Sequence, residues 1–282
     1  MTKKIAFIIY KILFFFLKLL DKIFNVRLSY VFKDVILENS YEFLHIKKKK
    51  ILFFIPNTFT KYRLNTFFTK EPDTINWIKK FEKNRKTVFW DIGANIGNYS
   101  IFSVAHNNKV KVFAFEPSLS NLKVLGRNIS INNFEKKISI IQLPLNNTEN
   151  KLDLMQEASF EEGGSFNTFG VNYNSNSFLD KKTKLKKAIY QNKYKVFGTS
   201  LDNLVKNKVI EIPDYIKIDV DGIEHLILEG AKTLLRSKKI KSILIELYPD
   251  FKEQYSICNK ILKYHNFKLV SKLGYNYIFK RI

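Results

Sequence analysis

Along the middle of the chain, apolar runs of a few residues alternate with longer stretches in which apolar positions recur every three or four residues. The first kind reads as a strand buried on both faces, the second as a helix with one covered stripe. Residues 88–92 are such a strand, stopped by Gly93. Asn98 then opens a helix faced by Tyr99, Ile101, Phe102, Val104 and Ala105. Residues 110–115 repeat the strand pattern and end at Glu116-Pro117, and 118–132 carry Leu119, Leu122, Leu125 and Ile129 along one helical face. Residues 138–143 form a third strand and 151–156 an added one. After a polar stretch, 199–202 start a helix and 215–220 make a fourth strand. A helix over 225–235, a fifth strand over 242–248 and a helix over 251–267 follow, and two strands around Gly274-Tyr275 close the chain. This alternation predicts an α/β fold: a mostly parallel sheet, helices on both faces, and an antiparallel terminal hairpin.

Three segments fall outside that rhythm. Residues 5–20 are the most apolar stretch, and Lys4, Lys11, Lys18 and Lys22 share one narrow face of the helix they predict. A central lysine costs about 2.5 to 3.5 kcal/mol in a spanning helix, whereas a helix lying in the interface lets lysines reach the headgroups. The segment therefore reads as an interfacial anchor. A helix packed on its own domain or a partner, or a signal anchor, are the alternatives. Residues 41–55 predict a hairpin with Lys47, Lys48, Lys49 and Lys50 at its tip, a solvated turn rather than a nucleic-acid patch. A helix faced by Ile75, Trp77, Ile78 and Phe81 follows, capped near Asp73 or Thr74. The third segment, 157–195, is a polar insertion with Gly163-Gly164-Ser165 and a basic run near Lys181 to Lys187; it reads as a lid over a site or as plain surface. The organisation is thus a helical extension over 1–40, a hairpin and helix over 41–86, and the main domain over 87–282 with its insertion.

Composition changes this picture little. Forty-eight Lys and Arg against 26 Asp and Glu give a net charge of +22. Such a balance suits an anionic surface or glycan, but the excess is spread as scattered lysines rather than gathered in one patch. A wholly disordered chain is excluded by 45% apolar residues. Cys258 is the only cysteine, so an internal disulfide and a CxxC zinc site are excluded and a reducing, cytoplasmic compartment is expected.

The candidate chemistry lies at the strand ends. Residues 91–97 read Asp-Ile-Gly-Ala-Asn-Ile-Gly, strand to glycine turn to helix, where glycine tolerates unusual backbone angles and close approach. The spacing is not that of a dinucleotide fingerprint, and an acid in the loop disfavours phosphate while suiting an amine-bearing ligand. Glu116 comes nineteen residues after Gly97, the offset at which an acid accepts from ribose hydroxyls. Together these point to a nucleoside, with S-adenosylmethionine ahead of NAD. Asp219, Asp221, Glu224 and Glu246 stand at the ends of the fourth and fifth strands, facing the same crevice, and a base there could take a hydroxyl proton. Asp219 and Asp221, two apart, would point the same way along a strand. His225 is a weaker candidate, and Glu224 could merely stabilise its helix start. Oxygen ligands of this kind also suit Mg²⁺ or Ca²⁺, though no metal is required.

The segments VFWDIGANIGNYS, VFAFEPSLSNLKVLGRNISINN, YIKIDVDGIEHLILEGA and SILIELYP resemble the FkbM-type family of S-adenosylmethionine-dependent methyltransferases across roughly residues 70–250. The resemblance implies a class I, Rossmann-like methyltransferase sheet, with cofactor contacts carried by Asp91, Gly93, Asn95, Gly97, Glu116 and Asn121. It further implies O-methylation, often of sugar hydroxyls in glycans or of polyketide-like metabolites; of the strand-end acids, Asp219, Glu224 and Glu246 are the expected catalytic set. The expected partners are a saccharide or glycolipid acceptor and, through residues 1–25, an anionic membrane surface. Nucleic acid is not expected. The alternative is a metal-dependent glycosyltransferase using Asp219-Val220-Asp221 as an Asp-x-Asp motif, which leaves the glycine loop and Glu116 unexplained.

Overall fold

Two helices open the chain, α1 (Thr2–Phe24) and α2 (Leu28–Glu38), and a hairpin of β1 (Tyr41–Ile46) and β2 (Lys49–Phe54) follows. The computed structural model describes residues 1–171 and 191–282. The hairpin turn is Lys47-Lys48, while Lys49 and Lys50 already pair in β2. Next come α3 (Thr58–Asn65) and α4 (Pro72–Lys79). Asn57 caps α3 by accepting from the Thr60 amide, and Pro72 starts α4, where its missing N–H costs nothing.

The core then alternates β3 (Thr87–Ile92), α5 (Asn98–His106), β4 (Val110–Phe115), α6 (Leu119–Ile131) and β5 (Ile138–Ile141). Three strands, β6 (Lys151–Glu157), β7 (Thr168–Phe169) and β8 (Asn192–Gly198), form a separate antiparallel sheet. Regular alternation resumes with α7 (Leu201–Lys206), β9 (Tyr215–Ile218), α8 (Glu224–Glu229), β10 (Ser242–Glu246), α9 (Lys252–Tyr264), β11 (Phe267–Leu273) and β12 (Asn276–Arg281).

The main sheet has the order β11-β12-β10-β9-β3-β4-β5. Its strands from β10 to β5 run parallel, and β12 is antiparallel to both β10 and β11. This is the mostly parallel α/β sheet that the apolar runs predict. Side chains of β3 alternate between two cores: Phe89 packs with Trp77, Phe102 and Val112, while Trp90 packs with Phe115, Leu201 and Ile243. Each such side chain, fully buried, contributes about 1.5–3 kcal/mol. Cys258 is a packed residue of α9. After β3 the chain moves first to β4 and β5 on one side and later to β9 and β10 on the other. The crevice opens where that order reverses, at the carboxyl ends of β3, β4 and β9.

Two elements differ from the sequence pattern. The fourth strand stops at Ile218, so Asp219 and Asp221 lie in the loop after it rather than along a strand; Asp221 takes a left-handed backbone with φ 59°. The insertion is not irregular throughout. Its last residues begin β8, whose NKYKVFG run pairs antiparallel with β6. The basic run near Lys181 to Lys187 lies outside the described residues.

Candidate functional site

Gly93, the first residue past β3, has φ 83°, and a Cβ there would lie 1.8 Å from the Asp219 carbonyl oxygen. The Asp219 amide in turn donates to the Ile92 carbonyl at 3.0 Å. Glycine is therefore required by the chain's own backbone, which brings the ends of β3 and β9 together, as well as by any ligand above them. Gly97, with φ 89°, serves packing: a Cβ there would meet Leu125 of α6 at 2.6 Å. Asn95 between them is left-handed, φ 51°, a conformation asparagine tolerates better than most residues.

That turn aims the Asn95 amide at Glu116 Oε2, 2.7 Å away, at the end of β4. Glu116 Oε1 accepts from the Ser118 amide at 3.0 Å and from Asn121 Nδ2 at 3.4 Å. Burial nonetheless pushes the Glu116 carboxyl up to about 7. Residues of the insertion close over it: the Gly164 carbonyl accepts from both Asn95 and Asn121, and the Gly163 amide donates to Asn121 Oδ1 at 2.8 Å. Glu116 and Asn121 face a cleft of about 580 Å³ whose walls include Phe115, Leu143, Leu145 and Met155.

Asp91 sits elsewhere than expected. It is fully buried behind the glycine turn, lines neither this cleft nor the one beside it, and accepts from Ser100 Oγ at 2.6 Å; among the described residues its other oxygen has no hydrogen-bond partner. Burial raises its carboxyl and the Lys217 ammonium opposes that rise. Its place is to support the loop from beneath.

A second, larger cavity of about 1010 Å³ shares Gly93, Asn95, Ser165, Asp219 and Asp221 with the first. Lys217, the one charged residue inside the buried run of β9, enters its wall with Nζ 2.6 Å from Asp219 Oδ2 and 5.0 Å from the centre of the Tyr99 ring. Burial opposes the Lys217 charge, but Asp219, Asp91 and Glu71 together hold its ammonium above the ordinary lysine range. Burial likewise opposes ionisation of Asp219, and Lys217 overrides it, holding that carboxyl at about 2. Glu246 goes the other way: burial, then the charges of Asp219 and Asp221, push it up to about 10, so it is protonated at neutral pH and shares a hydrogen bond with Asp219. Asp221 is raised to about 6 by burial and by Asp219, and its Oδ2 accepts from the Phe166 amide at 2.6 Å. The oxygens of Asp219, Asp221 and Glu246 gather within 4.8 Å of one another.

Glu224 does not join them. It is fully buried, accepts from the amides of Val220 and Gly222 and from Gln254, and lines neither cavity. An acid three residues after the Asp221 bend is captured by the loop's own amides, and it holds that bend in shape. His225 also lines neither cavity and lies edge-on to Phe251. Conversely, Lys217, Tyr99, Glu71, Arg63 and Tyr248 belong to the second cavity and were not singled out from the sequence. For Lys217 the signal was present, a lysine at the centre of YIKIDV. For the others no spacing rule applies, since separate elements bring them together.

Residues 91–277 match the family described as the methyltransferase FkbM domain. No curated protein matches the chain. Among solved structures it is similar to the methyltransferase FkbM from Methylobacillus flagellatus KT, with 16% identity and a TM-score of 0.47 over 78% of this chain and 53% of that one. The chain thus spans about half the length of that protein. It is also similar to M. capricolum TrmK in complex with S-adenosyl-homocysteine (18% identity, TM-score 0.40, 73% of this chain and 67% of that one). A third is the precorrin-6y C5,15-methyltransferase from Geobacter metallireducens GS-15 (13% identity, TM-score 0.41, 75% and 87%). Nothing here supports the glycosyltransferase alternative.

Proposed function

The chain belongs to the FkbM methyltransferase family, and on that premise we propose that it is an S-adenosylmethionine-dependent O-methyltransferase whose acceptor is a saccharide hydroxyl. The observation that carries the reading is the pairing of two adjoining cavities, one floored by Glu116 and walled by apolar side chains, the other floored by Asp219, Asp221 and Glu246. The residues fit the cofactor. Glu116 would accept from ribose hydroxyls, Phe115, Leu143, Leu145 and Met155 offer apolar walls to the base, and the turn from Gly93 to Gly97 borders the remainder. When bound, the cofactor supplies a methyl group on a positively charged sulfur and is released as the thioether S-adenosylhomocysteine.

The chain's own residues divide the remaining work. Asp221 accepts the proton of the acceptor hydroxyl as that oxygen takes the methyl group. A carboxyl near 6 suits this role better than Asp219, because a general base works best with a pKa close to the operating pH. Asp219, kept ionised by Lys217, and protonated Glu246 orient the acceptor. Isothermal titration with S-adenosylmethionine and S-adenosylhomocysteine tests the cofactor assignment: the wild type binds both, and Glu116→Ala loses at least ten-fold in affinity, about 1.4 kcal/mol. A folded wild-type protein that binds neither ligand would falsify the reading. Because the Glu116 carboxyl must be ionised to accept two hydroxyl donors, affinity should also fall as the pH drops below about 7.

The helical extension supports placing this reaction at the inner face of a membrane. No helix among the described residues is long and apolar enough to cross one. Yet α1 buries only Leu17 and α2 only Ser29, leaving Phe15, Phe16, Ile23, Phe24, Tyr30 and Ile36 more than half exposed. Asp21 ties the two helices by accepting from the Ser29 amide and hydroxyl. An apolar surface striped with lysine matches anionic headgroups, at about 1 kcal/mol per lysine near the surface. The full-length chain should co-sediment with vesicles containing phosphatidylglycerol and be released by salt. A chain that stays in the supernatant removes this part of the proposal.

A further inference from the structure

The second cavity does not end at the acidic floor. It continues outward past Arg63 and Lys70 into a groove of about 700 Å³ bordered by Phe59 and Tyr62, residues that are 46% and 55% exposed. Charge is balanced differently along the acceptor path: at depth Asp219, Asp221 and Glu246 outnumber the one ammonium of Lys217, whereas at the mouth Lys70 is paired with Glu71 and Arg63 adds a further cation.

Arg63 is held in place there. Its Nε donates to the Gly163 carbonyl at 2.6 Å, which fixes the guanidinium plane against the insertion, and among the described residues neither of its terminal nitrogens has a hydrogen-bond partner. Nearby acids are engaged elsewhere. Glu71 Oε1 pairs with Lys70 at 3.2 Å, and its Oε2 accepts from Tyr99 at 2.8 Å. An oriented guanidinium with two open donors is suited to a planar or tetrahedral oxyanion, which it can hold with two parallel charge-assisted hydrogen bonds. Lys70 beside it is half-exposed and already paired with Glu71, so Arg63 carries the recognition.

Resting on the saccharide reading above, we propose that the acceptor is an anionic saccharide, bearing a carboxylate or phosphate that Arg63 holds at the mouth while a neutral hydroxyl reaches Asp221. The anionic group and the methylated hydroxyl are separate positions on the acceptor, because an anion at the floor would meet Asp219 and Asp221. The rings of Phe59 and Tyr62 offer faces on which a sugar ring can rest. A neutral analogue would leave Arg63 without its partner, and a site built around a specific polar group discriminates strongly against a ligand lacking it.

The test is titration of the protein saturated with S-adenosylhomocysteine, using glucuronic acid, glucose 6-phosphate and methyl glucoside as probes. At least one charged sugar should bind ten-fold or more tightly than the neutral one. Arg63→Met should abolish that preference, leaving methyl glucoside binding and S-adenosylhomocysteine affinity unchanged. Comparing the two charged probes tells carboxylate from phosphate. Equal binding of charged and neutral sugars overturns the inference while leaving the saccharide reading intact. A loss of S-adenosylhomocysteine affinity in Arg63→Met also overturns it, since Arg63 would then serve the cofactor site that the Gly163-Gly164 segment covers. If no sugar binds while S-adenosylhomocysteine does, the saccharide reading fails and the inference fails with it.

Discussion

Replacing Asp221 with asparagine should lower turnover by roughly 10²–10⁴-fold, the span of a positioned general base, with S-adenosylhomocysteine affinity retained. Asparagine keeps the shape and can still accept from the Phe166 amide, so the bend after β9 is preserved while the proton acceptor is lost. The wild-type rate should rise with pH through an apparent pKa near 6, because burial and the Asp219 charge hold the Asp221 carboxyl there and only its ionised form accepts a proton. In Asp221→Asn that rise should disappear. Single-turnover methyl transfer measured between pH 5 and 8 on both proteins decides the matter. An unchanged rate in the variant, with the same pH profile, would move the base to another group.

Lys217→Met should destabilise the fold by about 3–5 kcal/mol in urea denaturation at neutral pH, the cost of removing one partner from a buried charge pair. The ammonium is 1% exposed and stands between Asp219 and Asp91, neither of which has another cation within hydrogen-bonding distance among the described residues. The sign with pH follows from the two shifts. Lys217 has its charge stabilised, so its contribution is complete throughout the neutral range and is lost only as the pH climbs past the ordinary lysine value. Asp219 is depressed to about 2, so its share is complete above about 4 and is lost as the pH falls toward 2. The gap between wild type and variant should therefore shrink in acid. A stability within 1 kcal/mol of wild type at pH 7 would mean that water screens the pair.

Most of the architecture followed from local rules. Buried strands announce themselves as apolar runs, a strand-turn-helix with glycine at 93 and 97 marks the switch point, and Glu116 is found by counting, because one crossover helix sets its distance from the glycine turn. Those features depend on residues near one another in sequence, where backbone sterics and periodicity act. The roles of the strand-end acids did not follow in the same way. Asp91, Asp219, Asp221 and Glu224 have similar side chains and similar places near the carboxyl ends of strands. They differ in which amide or ammonium reaches them: Ser100 for Asp91, Lys217 for Asp219, Phe166 for Asp221, and the Val220-Gly222 amides with Gln254 for Glu224.

A carboxylate's charge state and reach are fixed by neighbours that the fold gathers from distant positions, through interactions acting over a few ångströms of space. Sequence by itself determined the mostly parallel sheet and the place of the glycine turn and Glu116 at its strand ends, since these rest on patterns of burial written residue by residue. Only the tertiary structure decided which acid is buried scaffold, which is locked to a lysine and which stands near neutral pH facing the cavity, because desolvation and Coulomb energy depend on where chain segments meet.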